Sequence, residues 1–270
     1  MAGFKKTTHL LFLVILTMGC TTMNKTVNKM FDKVDVVAAD KISEEDLKPL
    51  PQVVQNYLRF TNIIGKEKIK TVRLKQGGGF RLKPEDEFKT LKAVQYFNLE
   101  AMEFIWQGKV SVITATDRFL NGKGDMTVKL LGFIKIASAE GPEVNQGEVV
   151  RFLAEGVWFP SVFLNDYIRW QALDERSAKA TITLGDFSVS ATFHFNKKNQ
   201  VEKITTKRYM EKDGRFELED WEIRIVEYSS FNDVFIPRKS EVVWKLDDGD
   251  FCWYKPEIYT IEYNIAAVYE

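Results

Sequence analysis

Between residues 177 and 209, apolar and polar side chains alternate with a period of two. Ala178, Ala180, Ile182 and Leu184 share one face of a first strand, and Ser177, Lys179, Thr181 and Thr183 share the other. Val189, Ala191, Phe193 and Phe195 oppose Ser188, Ser190, Thr192 and His194 in a second. In a third, Val201, Lys203, Thr205 and Lys207 oppose Glu202, Ile204, Thr206 and Arg208. A chain patterned this way sets one face against a core and the other in solvent, as antiparallel sheets do. Strands are also expected from Ile69, at Glu103–Thr116, Met126–Ile136, Phe216–Tyr228, Glu241–Leu246, Phe251–Tyr254 and Glu257–Ile265. Asn121-Gly122, Gly185-Asp186, Asn196 to Asn199, Asp213-Gly214 and Asp248-Gly249 supply turns between them. The order reads as an antiparallel meander, without a βαβ rhythm or a dinucleotide-binding fingerprint. The expected fold is mainly β: a large curved antiparallel sheet or half barrel, with N-terminal helices and a central helical insertion covering one face.

Two helices are expected ahead of the strands. Val27, Met30, Phe31, Val34, Val37 and Ala38 recur at helical spacing, for a helix packed on the body or lying on a membrane. Ser43 to Asp46 resembles a capping box, and Pro51 opens a helix with Val53, Val54, Tyr57 and Leu58 on one face. Gly77-Gly78-Gly79 reads as a hairpin turn, with a bulge or close backbone approach as alternatives. No Gly-Lys-Ser/Thr follows, so a phosphate cradle is not indicated. Glu148 to Glu155 reads as a helix stopped by Gly156, and the aromatic stretch to Trp170 completes an insertion at about residues 147–170.

The N-terminus reads as an export signal. Lys5 and Lys6 precede the apolar run Leu10 to Met18, too short to span a bilayer, and Gly19-Cys20 follows. This resembles a bacterial lipoprotein box, although Thr17 stands where Leu is commoner. The resemblance implies removal of residues 1–19 and lipidation of Cys20; the residue pattern then gives a tether and helix over 20–43 and one β-rich domain over 44–270. The resemblance also implies a periplasm-facing protein anchored in the bacterial envelope. Thr21 favours the outer membrane over the inner. Cleavage leaves His194 as the single histidine and Cys252 as the single thiol, so a disulfide within the domain, a zinc site of the usual composition and any other metal centre are not expected.

Several stretches together resemble a bacterial family of uncharacterised function. They are Pro51 to Arg59, Val72 to Gln76 with the glycines, Gln95-Tyr96-Phe97, and Gly147-Glu148 with Arg151 to Glu155. Trp158-Phe159-Pro160, Ile236-Pro237 with Glu241 and Trp244, and Ile261 to Asn264 complete the set. The resemblance spans about residues 50–265 and carries no activity. At the level of fold, the order of elements is similar to that of lipoprotein carriers of the LolA/LolB type, whose apolar half barrels hold acyl chains.

Function classes narrow accordingly. Lys+Arg and Asp+Glu are equal at 38 each, so no basic excess points to nucleic acid. Aromatic residues make up 13% of the chain, enough to line an apolar pocket. Its expected lining is Phe80, Tyr96, Phe104, Trp106, Phe133, Phe152, Trp158, Phe159, Trp170 and Trp244, with ordinary core as the alternative for each. Arg73, Arg81, Glu148, Arg151, Glu155 and Glu241 are the polar candidates, as ion pairs or as contacts to a head group. Glu148 and Glu155, seven apart, fall near one helix face. Asp117, Glu140 and Glu262 are further carboxylates at strand ends or within strands. A His194–Cys252 nucleophilic pair is conceivable, but a hydrogen-bonded or solvent-facing histidine and a merely packed or free cysteine are the simpler expectations. The leading reading is an envelope lipoprotein binding a lipid or other hydrophobic ligand. The alternatives are a structural or protein-binding lipoprotein with a filled core, and a carboxylate-based hydrolase. No cofactor is expected. The membrane, through the lipid, and an envelope protein are the expected partners.

Overall fold

Apolar alternation in strand after strand leaves one continuous surface to bury, and a single curled sheet of 13 strands does so in a computed structural model of the chain. The structure describes residues 23–32, 34–36 and 40–270. The basic pair Lys5 and Lys6, the apolar run, Cys20, Val37 and Ala38 lie outside the described residues. The strands are β1 (Thr71–Phe80), β2 (Lys89–Asn98), β3 (Glu103–Val110), β4 (Ile113–Leu120), β5 (Lys123–Leu130) and β6 (Ile134–Glu140). They continue with β7 (Ile168–Asp174), β8 (Ser177–Leu184), β9 (Phe187–Phe195) and β10 (Val201–Lys212), then β11 (Arg215–Phe231), β12 (Val234–Leu246) and β13 (Gly249–Tyr263). Each half is a meander, and the two join where β1 pairs antiparallel with β13. β6 and β7 are the two edges.

The helices are α1 (residues 23–31), α2 (Glu44–Leu47), α3 (Gln52–Phe60) and α4 (Pro142–Glu155). Asp46 accepts hydrogen bonds from the Ser43 backbone N–H and hydroxyl, both at 2.7 Å, closing the start of α2. Pro51 caps α3, which buries Val53, Val54, Tyr57 and Leu58. α1 lies on the convex face of the sheet. Its Val27, Met30 and Phe31 pack against Tyr96 and Ile105, and Met30 O accepts from Asn98 Nδ2 at 3.0 Å. α4 links β6 to β7 through the hollow of the sheet, against β4, β5 and β6 on one arm and β8, β9 and β10 on the other. Two 3-10 turns, Gly156–Trp158 and Pro160–Leu164, follow it.

Several boundaries differ from expectation, each for a local reason. Gly77-Gly78-Gly79 is not a hairpin turn; it lies inside β1, next to a register shift at Lys75/Gln76. Gly78 has φ +126°, and an added Cβ would fall 1.9 Å from the Lys255 carbonyl oxygen, so close backbone approach is the reason for glycine there. The residues expected as one strand over 103–116 form two, turned at Ser111, which takes φ +53°. Those over 126–136 also form two, turned at Leu131-Gly132. β13 runs unbroken through Pro256, opposite Gly78. The helix expected from Glu148 begins six residues earlier at Pro142, the first-turn position proline favours. Trp170 belongs to β7 rather than to the insertion. A bulge between Val201 and Lys203 shifts the phase of β10, so Val201 and Ile204 are both buried.

Candidate functional site

α4 supplies the polar centre of the hollow. Val149, Val150, Phe152 and Leu153 are buried in the apolar core. Glu148, Arg151 and Glu155, spaced three and four apart, point together into the remaining space. Arg151 Nε donates to Glu155 Oε1 at 2.8 Å, and Arg151 Nη1 donates to Asp117 Oδ2 on β4 at 2.7 Å. Its guanidinium lies 4.9 Å from the Trp106 ring and 5.3 Å from the Phe104 ring. A buried chain continues into the sheet. Gln95 Nε2 donates to Glu155 Oε2 (2.8 Å), Gln76 Nε2 to Gln95 Oε1 (2.7 Å), and Tyr254 OH to Gln76 Oε1 (2.9 Å). Satisfied networks of this kind fix side-chain geometry in a low-dielectric setting.

Opposite Arg151, on β10, stands Arg208, 5.3 Å above the Trp221 ring. Its Nε is buried without a hydrogen-bond partner, as are Glu148 Oε2, Asp117 Oδ1 and the indole nitrogens of Trp106, Trp221 and Trp253. Gly147 on α4 leaves room for this guanidinium, since a Cβ there would lie 3.2 Å from Arg208 Nε. Burial, reinforced by the Asp117 carboxylate, pushes Glu148 up to about 8. Burial raises Asp117 and Glu155 as well, against the pull of Arg151, and lowers Arg208. At neutral pH Glu148 is therefore largely uncharged.

Around this cluster lies a cavity of about 770 Å³. Of the aromatics expected to line it, Phe80, Trp106, Trp158 and Trp244 do. Trp221, Trp253, Phe251 and Tyr254 join them, as does Arg81 near the mouth. The wall runs out to Leu82, Asp86, Ser111 and Glu211 beside the hairpin turns at one end of the sheet. Leu82, Val112, Leu131, Phe133 and Ile136 are exposed at or near those turns.

The other expected lining residues lie elsewhere. Tyr96 faces the convex side, edge-on to Phe31. Phe104, Phe152 and Phe159 are fully buried around Phe97, with Phe97 and Phe159 centroids 4.6 Å apart. Trp170 packs on Phe163 and Phe193. Phe133 is exposed in the loop between β5 and β6. Arg73 is convex-side too, donating to Glu262 at 3.0 and 3.1 Å and to the carbonyls of Ala267 and Val268. Glu241 pairs with Lys255 at 2.8 Å. The register explains the division: residues of β1 to β3 one step out of phase with Leu74, Phe97 and Trp106 face away from the hollow.

Arg208 is absent from the sequence candidates, as are Trp221, Phe251, Trp253 and Tyr254, although its place two steps from Thr206 and four from Ile204 puts it on the buried face of β10. His194 Nε2 hydrogen-bonds Thr205 Oγ1 at 3.0 Å, and burial lowers its affinity for a proton. Cys252 is a free, half-buried thiol on β13, with three strands between it and β9, so the two form no pair. Among the described residues no His, Cys, Asp and Glu cluster suits a metal ion, and no helix is long and apolar enough to cross a membrane.

Residues 40–256 match the family of unknown function DUF6544. The chain belongs to that family. No curated protein matches it. Among solved structures it is similar to a DUF1329 family protein from Desulfovibrio piger ATCC 29098, at 8% identity and a TM-score of 0.44, over 80% of this chain and 94% of that one.

Proposed function

We propose that this DUF6544 member binds an amphiphilic or hydrophobic ligand, with the apolar part of the ligand in the hollow of the sheet. The observation that carries the reading is the cavity of about 770 Å³ walled by five indoles, Trp106, Trp158, Trp221, Trp244 and Trp253. Its volume falls in the range of about 300–1,000 Å³ typical of small-molecule sites. A filled core, the alternative for a purely structural protein, has no need of such a space, since interiors close to crystal-like density. Each methylene taken from water there contributes about 0.8 kcal/mol. The hydrolase alternative draws less support: the carboxylate oxygens left over, Glu148 Oε2 and Asp117 Oδ1, share no hydrogen bond with each other.

In this proposal Cys20 carries lipid and holds the protein on the periplasmic side of a bacterial envelope membrane, the outer one being favoured, with its mouth open to lipid. Native mass spectrometry of the full-length protein from an envelope fraction tests the binding. Co-purified species of about 300–1,000 mass units, lost on stripping with a hydrophobic resin, are expected. A clean mass that stays unchanged after adding envelope lipids would overturn it. Inhibiting lipoprotein signal processing should shift the protein's mass and location; no shift would remove the anchor from the proposal.

A further inference from the structure

The cavity is not uniformly apolar, and its polar atoms without partners are unevenly distributed. Arg151 is committed twice over, to Asp117 and Glu155. Arg208 Nε is buried without a hydrogen-bond partner; its guanidinium lies 5.3 Å from the centre of the Trp221 ring, and the charges of Glu148 and Asp117 act on it from a distance. The Trp221 N–H beside it is also unpaired. Across from them, burial keeps Glu148 largely protonated at neutral pH, so its carboxyl has a proton to donate. Arg208 Nε and the Trp221 N–H are thus buried donors on the cavity wall, and neither reaches Glu148 Oε2 or Asp117 Oδ1, the carboxyl oxygens left without a hydrogen bond there. A buried donor left unpaired is costly and rarely retained without a function. A guanidinium in an apolar pocket pairs best with an acceptor-rich anion, through two parallel N–H···O bonds.

We propose that the ligand is an amphiphile with a single anionic, oxygen-rich head, a carboxylate or a phosphate, received by Arg208 with the N–H of Trp221 and the carboxyl of Glu148. Its apolar tail runs from that cluster toward the hairpin turns. This inference rests on the cavity reading above and specifies the ligand class for the same site.

The test compares palmitate, its methyl ester, hexadecylamine and a single-chain lysophosphatidic acid. Each displaces an uncharged fluorescent dye from the full-length protein after lipid stripping. Palmitate is expected to bind at least about tenfold more tightly than its methyl ester, the difference a charge-assisted hydrogen bond supplies. R208Q should abolish that preference, and R208K should keep part of it. Whichever of palmitate and lysophosphatidic acid binds more tightly names the source of the head group, and either order supports an anionic head. Acid and ester binding equally to the wild-type protein, or the amine binding best, would overturn the inference and leave the cavity reading intact. Failure of every probe and of the dye would instead overturn the cavity reading. If R208Q does not fold, the comparison of acid, ester and amine on the wild-type protein decides alone.

Discussion

At the scale of single residues, the cluster under the cavity makes stability depend on pH with an unusual sign. Glu148 titrates near 8 in the folded chain because burial and the Asp117 carboxylate oppose its charge, against about 4.3 when unfolded. Between those values the native state holds a proton that the unfolded chain has released. Stability contributed by the neutral carboxyl is therefore fully present below about 4.3 and falls as pH rises toward 8, by at most about 1.4 kcal/mol per pH unit. Asp117 and Glu155 act in the same direction, since burial raises both. The expected result is a wild-type melting temperature that drops between pH 6 and 8.5, with a shallower drop in Glu148→Gln. Parallel curves for the two proteins would remove Glu148 as the source. Gly108 offers a second residue-scale test. A Cβ there would lie 2.1 Å from the Trp106 ring, so Gly108→Ala should move that indole into the cavity and weaken binding of any apolar dye severalfold. Unchanged dye affinity would show that Trp106 does not shape the occupied space.

At the scale of elements, the short turns after α4 send adjacent side chains to opposite duties. Phe159 is fully buried against Phe97 and Phe152, whereas Trp158 borders the cavity. Phe159→Ala should cost about 3–5 kcal/mol. Trp158→Phe keeps an aromatic ring in place, so it should cost less than that and alter ligand affinity instead. Urea midpoints read at constant m-value separate the two, and equal losses would contradict the division. How much of this was legible in the sequence also varied by element. The strands from 177 to 195 were readable because each buries one face only and its turns carry Gly, Asn or Asp. The turns at Ser111-Val112 and Leu131-Gly132 lacked that chemistry in whole or part, so two hairpins read as two long strands. The triple glycine carried the opposite error: its flexibility answers a partner strand 177 residues away at Lys255, which local pattern does not show. In the site, Glu148 and Glu155 were legible from helical spacing, and Arg151 only as a charge that could pair with carboxylates or hold a head group. Arg208 was not, because the bulge at Glu202 resets the strand's phase and a cation on a buried strand face has meaning only once α4 is opposite it.

At the scale of the whole molecule, the fold concentrates its indoles. The chain has six tryptophans. Five line the cavity, and Trp170 alone packs away from it, with ring centroids 5.3 Å from Phe163 and 5.1 Å from Phe193. This follows from topology rather than from local preference. Trp106 comes from β3, Trp221 from β11, Trp244 from β12, Trp253 from β13 and Trp158 from the turn after α4. Only a curled sheet joined at β1 and β13 turns both meanders toward one hollow. The protein therefore carries its own reporter of occupancy. Palmitate brominated along its chain should quench most of the tryptophan emission when it fills the cavity, because a heavy atom acts at contact distance and five of the six indoles are within its reach. In Trp170→Phe the quenched fraction should rise, since the distant emitter is gone. The same titration should raise the melting temperature with ligand concentration, by about 2.7 kcal/mol of stability at a hundredfold excess over Kd. Stabilisation without quenching would place the ligand outside the hollow, on a surface such as the exposed turns around Leu82 and Phe133. Quenching that ignores bromine position along the chain would show a tail that lies free rather than one extended from Arg208 to the mouth.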